Sequence, residues 1–389
     1  MPAIDPSTIP IVSDLAKQLH AHVNYLASPR LKGRKPGTPE NNLAADYITE
    51  IFKHSGLEPL SSLGGYRQPI TEDIGDNIIG VCRPHLPQTS DRWILLGAHF
   101  DHLGAAGGNI FAGADDNAAA VAILLEIALS RPSLTNHSLL FAAFNSEEPP
   151  YALTPLMGSQ YFLDHLPCEI RTPGHFQTVI VMDLIGGVYW SPLKNILFAA
   201  GAEHSPGLYH HLKALRSSWM GHDFQVKPIG LHTIEEIPLI GRRPVSDYDA
   251  FRNVSVPFLF LSAGRTPRYH RPSDKPSTLH YERMACTTWW LQDFIRRIDE
   301  DHHPYTFLPN RLELSDEVET IRPLIQQAAA WKTHIPRTSP ASLLKLQLDA
   351  KWLATLDPAK AGPSDIKRLE RATLRMQCLL ADFPGGFLL

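Results

Sequence analysis

The stretch LLGAHFDHLGAAGGNIFAGADDNAAAVAILLEIA, residues 95–128, decides how the chain is read. It begins inside an apolar run, Trp93-Ile94-Leu95-Leu96, short enough for a buried strand, and passes directly into His99-Phe100-Asp101. Side chains alternate faces along a strand, so His99 and Asp101 point one way and Phe100 the other. An imidazole with a carboxylate at hand suits a metal ion. A glycine-rich loop follows (Gly104, Gly107, Gly108, Gly113), then Asp115-Asp116-Asn117, then a smooth helical run from Ala118 to Leu129. Exposed backbone donors at a helix start favour negative charge, and Asn117 stands where it could cap that helix. Taken singly, these residues are equally well read as capping acids and a satisfied strand-end histidine.

Working outward, apolar runs at Asn77 to Cys82, Trp93 to Ala98, Ser138 to Asn145, Val179 to Met182 and Val256 to Leu261 are expected strands, with a further strand opening the segment Asn195 to Arg216. The first two are expected to pair as neighbours across PHLPQTSD. Helices are expected at Ser13 to Ala27, Glu40 to Ser55, Ala118 to Leu129 and Leu279 to Ile298. The run LLFAAF is continuous rather than alternating, and such strands interleaved with helices indicate an α/β sheet covered on both faces. Beyond Pro309 the chain turns helical, in LIQQAAAWK, SLLKLQLDAKWLATL and DIKRLERATLRMQCLLADF. The expected division is a catalytic domain over 1–310 and a helical C-terminal extension over 311–389 that packs on it.

The 389 residues, 43% of them hydrophobic, can fill a large core. A net charge of −4 with both signs interspersed argues against nucleic acid as the partner. Cys82, Cys168, Cys286 and Cys378 show no paired spacing and are expected reduced in a core. The start, MPAIDPSTIPIVSDLAKQL, lacks the basic and apolar regions of a signal peptide, and no apolar run reaches the roughly 18 residues of a membrane span. The expectation is a cytoplasmic protein with no membrane partner; the oligomeric state is not legible.

Acidic or imidazole groups fall just beyond several expected strands: His99, Glu147-Glu148, Asp183, and His270 a few residues past Leu261. In open α/β sheets ligands bind at the carboxyl ends of strands, so residues far apart in sequence can converge there. Asp115 reaches the same rim from the mouth of the helix. Two imidazoles and three carboxylates form a mixed nitrogen and oxygen set suited to zinc. With one carboxylate shared, such a set would hold two ions about 3.5–4 Å apart.

The motifs GAHFDHLG, GADDNAAA, NSEE, VMDLIGG and YHRPSDKPSTL, in this order, resemble metallopeptidase family 28, the co-catalytic di-zinc aminopeptidases related to glutamate carboxypeptidase and glutaminyl cyclase. The upstream YLASPRLKGRKPGTPENNLAADYI is similar to the segment that precedes that family's catalytic domain. The resemblance implies a three-layer α/β/α sandwich on a mixed, mostly parallel sheet of the zinc-exopeptidase kind. It implies two Zn2+ ions per chain: Asp115 bridging, His99 and Asp183 completing one site, Glu148 and His270 the other. Asp101 would orient His99, Glu147 would be the general base, and a cis peptide would join Asp115 to Asp116. Substrates would be peptides with a free N-terminus.

A single-zinc glutaminyl cyclase, a carboxypeptidase and a binding relative without catalysis are the competing readings, and the intact acidic and histidine set favours the di-zinc aminopeptidase. Arg242, Arg243, Arg265, Arg268 and Arg271 either bind a substrate carboxylate or form a solvated basic loop, the latter being the plainer reading. Tyr248 either stabilises an oxyanion or is a buried structural residue.

Overall fold

A computed structural model describes residues 8–85, 92–215, 223–237, 241–330 and 340–380. The principal strands are Arg67–Thr71 (β1), Gly75–Cys82 (β2), Trp93–His99 (β3), Ser138–Phe144 (β4), Phe176–Met182 (β5), Ile196–Ala200 (β6), Gln225–Pro228 (β7) and Phe258–Ser262 (β8). They form one mixed sheet in the order β1-β2-β4-β3-β5-β8-β6-β7. Every residue of β3, β4 and β5 is buried, and these continuous apolar runs occupy the middle of the sheet, where both faces are covered. β4, β3, β5 and β8 run parallel, while β2 and β6 flank them antiparallel.

The expected pairing of Asn77–Cys82 with Trp93–Ala98 is not what forms: β4 lies between β2 and β3. The connection between them is too long to impose a hairpin. β3, buried along its whole length, is stabilised more by two parallel neighbours than by a place near the edge.

Helices cover both faces. Thr8–Leu26 (α1), Pro39–His54 (α2), Ala119–Ser130 (α3), Pro206–Leu215 (α5) and Tyr281–Glu300 (α7) pack on one side; Gly158–Asp164 (α4) and Tyr248–Asn253 (α6) on the other. α2 starts as its sequence dictates, with Pro39 in the first turn and the Thr38 hydroxyl accepting from the Asn41 amide at 3.2 Å. α3 is apolar on every side except at Glu126, which meets His22 Nε2 at 2.9 Å, because it is buried all round, from Ala119 to Ala128. Leu314–Ala330 (α8), Pro340–Thr355 (α9) and Pro363–Leu380 (α10) form the C-terminal helical region. Val318, Ile321, Leu369 and Met376 share one apolar cluster with Leu140, Val179 and Phe258 of the sheet. Among the described residues no helix is long and apolar enough to cross a membrane. Cys82, Cys286 and Cys378 are buried, but Cys168, expected in a core, is exposed.

The strand register brings the site together. His99 pairs with Phe144 across β3 and β4, and Met182 with Leu261 across β5 and β8, so the carboxyl ends of four parallel strands finish at one rim. Glu147, Asp183 and the loop to His270 begin there.

Candidate metal centre

His99, completely buried, ends β3 with its Nε2 3.4 Å from Asp116 Oδ1, 3.5 Å from Asp183 Oδ1 and 3.8 Å from Glu147 Oε2. Around the same Asp116, His270 Nε2 stands 3.2 Å from Oδ2 and 3.0 Å from Glu148 Oε2. Two groups able to hold a cation result, His99-Asp116-Asp183 and His102-Asp116-Glu148, and Asp116 is common to both. His270 faces the two carboxylates of the second group.

Asp115, expected to bridge, does something else. Its Oδ1 accepts from the Gly186 and Gly187 amides at 2.8 and 2.7 Å. Its own amide donates to Asp274 at 2.9 Å. The neighbouring acid takes the shared position because the backbone leaves helical geometry at Asp116 and Asn117, which turns successive side chains in different directions. The cis peptide is Asp116–Asn117, one bond beyond the expected place. Asn117 does not cap α3; its Nδ2 donates to the Met182 carbonyl at 2.9 Å, tying the loop to the end of β5. Gly113 permits this turn: its φ is +59°, and a Cβ there would lie 2.5 Å from the His102 ring.

Asp101 faces His99 Nδ1 at 3.6 Å, too far for a hydrogen bond. Its two oxygens accept instead from the Glu147 and Glu148 amides, at 3.0 and 3.1 Å, and so fix the loop that carries both glutamates. His102, which sequence reasoning passed over, is completely buried and its Nδ1 lies 2.7 Å from Glu148 Oε1. Its signal was its place in GAHFDHLG, three residues past His99.

Two arginines brace the floor, and neither was singled out from the sequence. Arg34, completely buried, donates to the carbonyls of Leu26, Phe100, Ala112 and Gly113 at 2.6–3.0 Å. Burial lowers its pKa to about 10 against the pull of Asp101, Asp116, Asp274 and Glu148. Arg283, from α7, donates to the Ile185 and Gly187 carbonyls at 2.7 and 2.9 Å. Asn41 of α2 donates to Asn145 at 3.0 Å, which joins the upstream segment to the NSEE loop.

The remaining candidates belong to neither cation group. Tyr248 is buried, stacked on Phe258 and donating to Glu235 at 2.8 Å, so it is a structural residue. Arg268 donates to the Val188 carbonyl at 2.9 Å, and Arg265 lies over the Tyr269 ring. Arg243 is exposed, and the Arg242 side chain lies outside the described residues.

Burial works against every charge here, and the neighbours decide the outcome. Burial raises Glu147 well above the ordinary carboxylate range, with Glu148, Asp183 and Asp247 adding to it and His99 opposing. Burial also raises Asp115, to about 7. For Asp116 burial is outweighed by His270, His99 and His102, which hold it well below its usual range. Burial disfavours the His270 cation, yet Asp116 and Glu148 lift it to about 9.

The donor set fits divalent cations. Both ring nitrogens of His99, Nε2 of His102 and His270, Asp116 Oδ2 and Asp183 Oδ1 are buried without a hydrogen-bond partner among the described residues. Such orphaned groups are costly unless something satisfies them. Tetrahedral ligands about 2.0–2.2 Å from one ion lie roughly 3.3–3.6 Å apart, and the His99 contacts to Asp116 and Asp183, at 3.4 and 3.5 Å, have that spacing.

A family model described as Peptidase family M28 matches residues 77–295, more than half of the chain. The chain belongs to peptidase family M28. A relative from Escherichia coli K12, the uncharacterized protein YfbL, is 25% identical over 293 residues, covering 69% of this chain and 84% of that one. Among solved structures, BSAP, a zinc aminopeptidase from Bacillus subtilis, superposes with a TM-score of 0.55 at 14% identity, covering 76% of this chain and 98% of that one. Fimbriiglobus ruber glutaminyl cyclase does so equally, with a TM-score of 0.55 at 19% identity over 72% of this chain and 94% of that one. M28 aminopeptidases and cyclases therefore share the fold, and the fold alone does not choose between them.

Proposed function

We propose that the chain is a zinc-dependent exopeptidase, specifically an aminopeptidase that removes N-terminal residues from peptides. Membership of the peptidase family supports a hydrolase. The observation that carries the finer reading is the pair of cation-holding groups sharing Asp116, with the Glu147 carboxylate beside them and outside both. His99, Asp116 and Asp183 would hold one zinc; Asp116, Glu148 and His270 the other. His102 is assigned to orienting Glu148, whose Oε1 its Nδ1 meets at 2.7 Å.

When bound, the ions supply Lewis acidity that polarises a substrate carbonyl and makes water ionise near neutral pH. Glu147 takes a proton from the attacking water as the oxygen adds to the carbonyl carbon. It delivers that proton to the amine nitrogen as the C–N bond breaks. Asp101 keeps Glu147 in reach through the amide bonds it accepts.

The test is metal content per chain with hydrolysis of aminoacyl-arylamides before and after chelation. Two zincs, chelator-sensitive cleavage and a loss of about 10²–10⁴-fold in Glu147→Gln with metal retained are expected. One zinc, no cleavage and pyroglutamate formed from glutaminyl peptides would replace the proposal with a cyclase.

A further inference from the structure

Beside the candidate centre lies a cavity of about 100 Å³ whose lining includes Asp183 and Tyr269. The Tyr269 ring stacks on His270 at 3.8 Å between centroids, so the cavity abuts the groups assigned to both ions. Its sheet-side lining is apolar, from Phe198, Phe260, Ile229 and Val245. Ser262 and Arg265 line it on the side of the loop that follows β8, and a further wall comes from α10, a helix far outside the family match: Thr373, Met376, Gln377 and Leu380.

That helix is held firmly. Gln377 Nε2 donates to the Thr233 carbonyl at 3.1 Å. His232 lies between Glu370 of α10 and Glu317 of α8, 2.9 Å from each. Leu369 and Met376 are buried in the apolar cluster of the sheet. The cavity has room for several waters, hence for one side chain rather than a chain segment. Peptide whose scissile carbonyl reaches the centre would carry its first side chain to this place.

We propose that α10 walls the pocket that reads the first side chain of the substrate, and that the pocket selects peptides beginning with a medium or large apolar residue. Met376 is the principal specificity-determining residue, since its flexible thioether closes the pocket from the helix side. The inference rests on the aminopeptidase reading for its substrate, but the pocket can be probed without turnover.

Zinc-loaded full-length protein should cleave leucyl- and phenylalanyl-arylamides about tenfold or more better than alanyl, and glutamyl least, in kcat/KM. Met376→Trp, which fills the cavity, should lower the leucyl-to-alanyl ratio about tenfold; Met376→Ala should move the optimum toward phenylalanyl. Calorimetric binding of leucine hydroxamate should exceed that of glycine hydroxamate about tenfold, a margin lost in Met376→Trp. Equal changes for all substrates, a glutamyl preference drawn to Arg265, or hydroxamates indifferent to Met376→Trp would overturn the proposal. Failure of wild-type protein to cleave any arylamide would sink the peptidase reading alone, because the hydroxamate comparison still reports on the pocket.

Discussion

Gly187→Ala should damage the centre without touching a proposed ligand. Its Cβ would lie 2.2 Å from Asp115 Oδ2 and 3.0 Å from Thr266 Cγ2. Asp115 would have to move, and with it the bonds its Oδ1 accepts from the Gly186 and Gly187 amides. Overpacking a tight site costs about 1–3 kcal/mol. Weakening a bond to a charged acceptor adds about 1.5–3 kcal/mol. A total of roughly 2.5–6 kcal/mol should lower the melting temperature by several degrees. Because Asp115 is joined directly to Asp116, zinc affinity should fall as well. Gly65→Ala is the control, since a Cβ there meets nothing within 4 Å. Calorimetric melting and zinc titration at pH 8, above the pKa of about 7 for Asp115, measure both effects. A Gly187→Ala protein that melts and binds zinc like the control would refute the role given to Asp115.

Asp101→Asn offers one acceptor oxygen where the native residue gives two, one to each glutamate amide. Activity should fall about 10–100-fold in steady-state assays with little change in melting. Arg34→Met strands four buried carbonyls and removes a cation from among the site's acids, so denaturant unfolding should show a loss of about 3–5 kcal/mol. The pKa of His232 is raised, burial being outweighed by Glu317 and Glu370. A folded-state pKa above the unfolded value of about 6.5 means this stabilisation is complete below pH 6.5 and is lost as pH rises through the folded value. The stability difference between wild type and His232→Gln should therefore shrink from pH 6 to pH 9 in urea titrations.

The fold was legible where burial dictates composition. The continuous runs of β3, β4 and β5 had to lie under helices on both faces, and their carboxyl ends bring His99, Glu147 and Asp183 to one rim. Strand order was less legible, because nothing local in β2 or β3 specifies β4 as the neighbour of each. The step from Asp115 to Asp116 turns on backbone angles at Asp116 and Asn117 that two adjacent acids do not reveal. Arg34 and Arg283 were invisible for another reason. Their partners are backbone carbonyls up to 79 and 98 residues away, which leave no side-chain signature. The amphipathic character of α10 could be read from its sequence, but what its apolar face covers could not.

In the proposed centre Asp116 is shared between two ions. Anomalous diffraction at the zinc edge from zinc-loaded crystals tests it most directly. Two peaks about 3.5–4 Å apart with the Asp116 carboxylate between them are the expected result. A single peak, or two peaks bridged by Asp115 with Asp116 turned away, would contradict it.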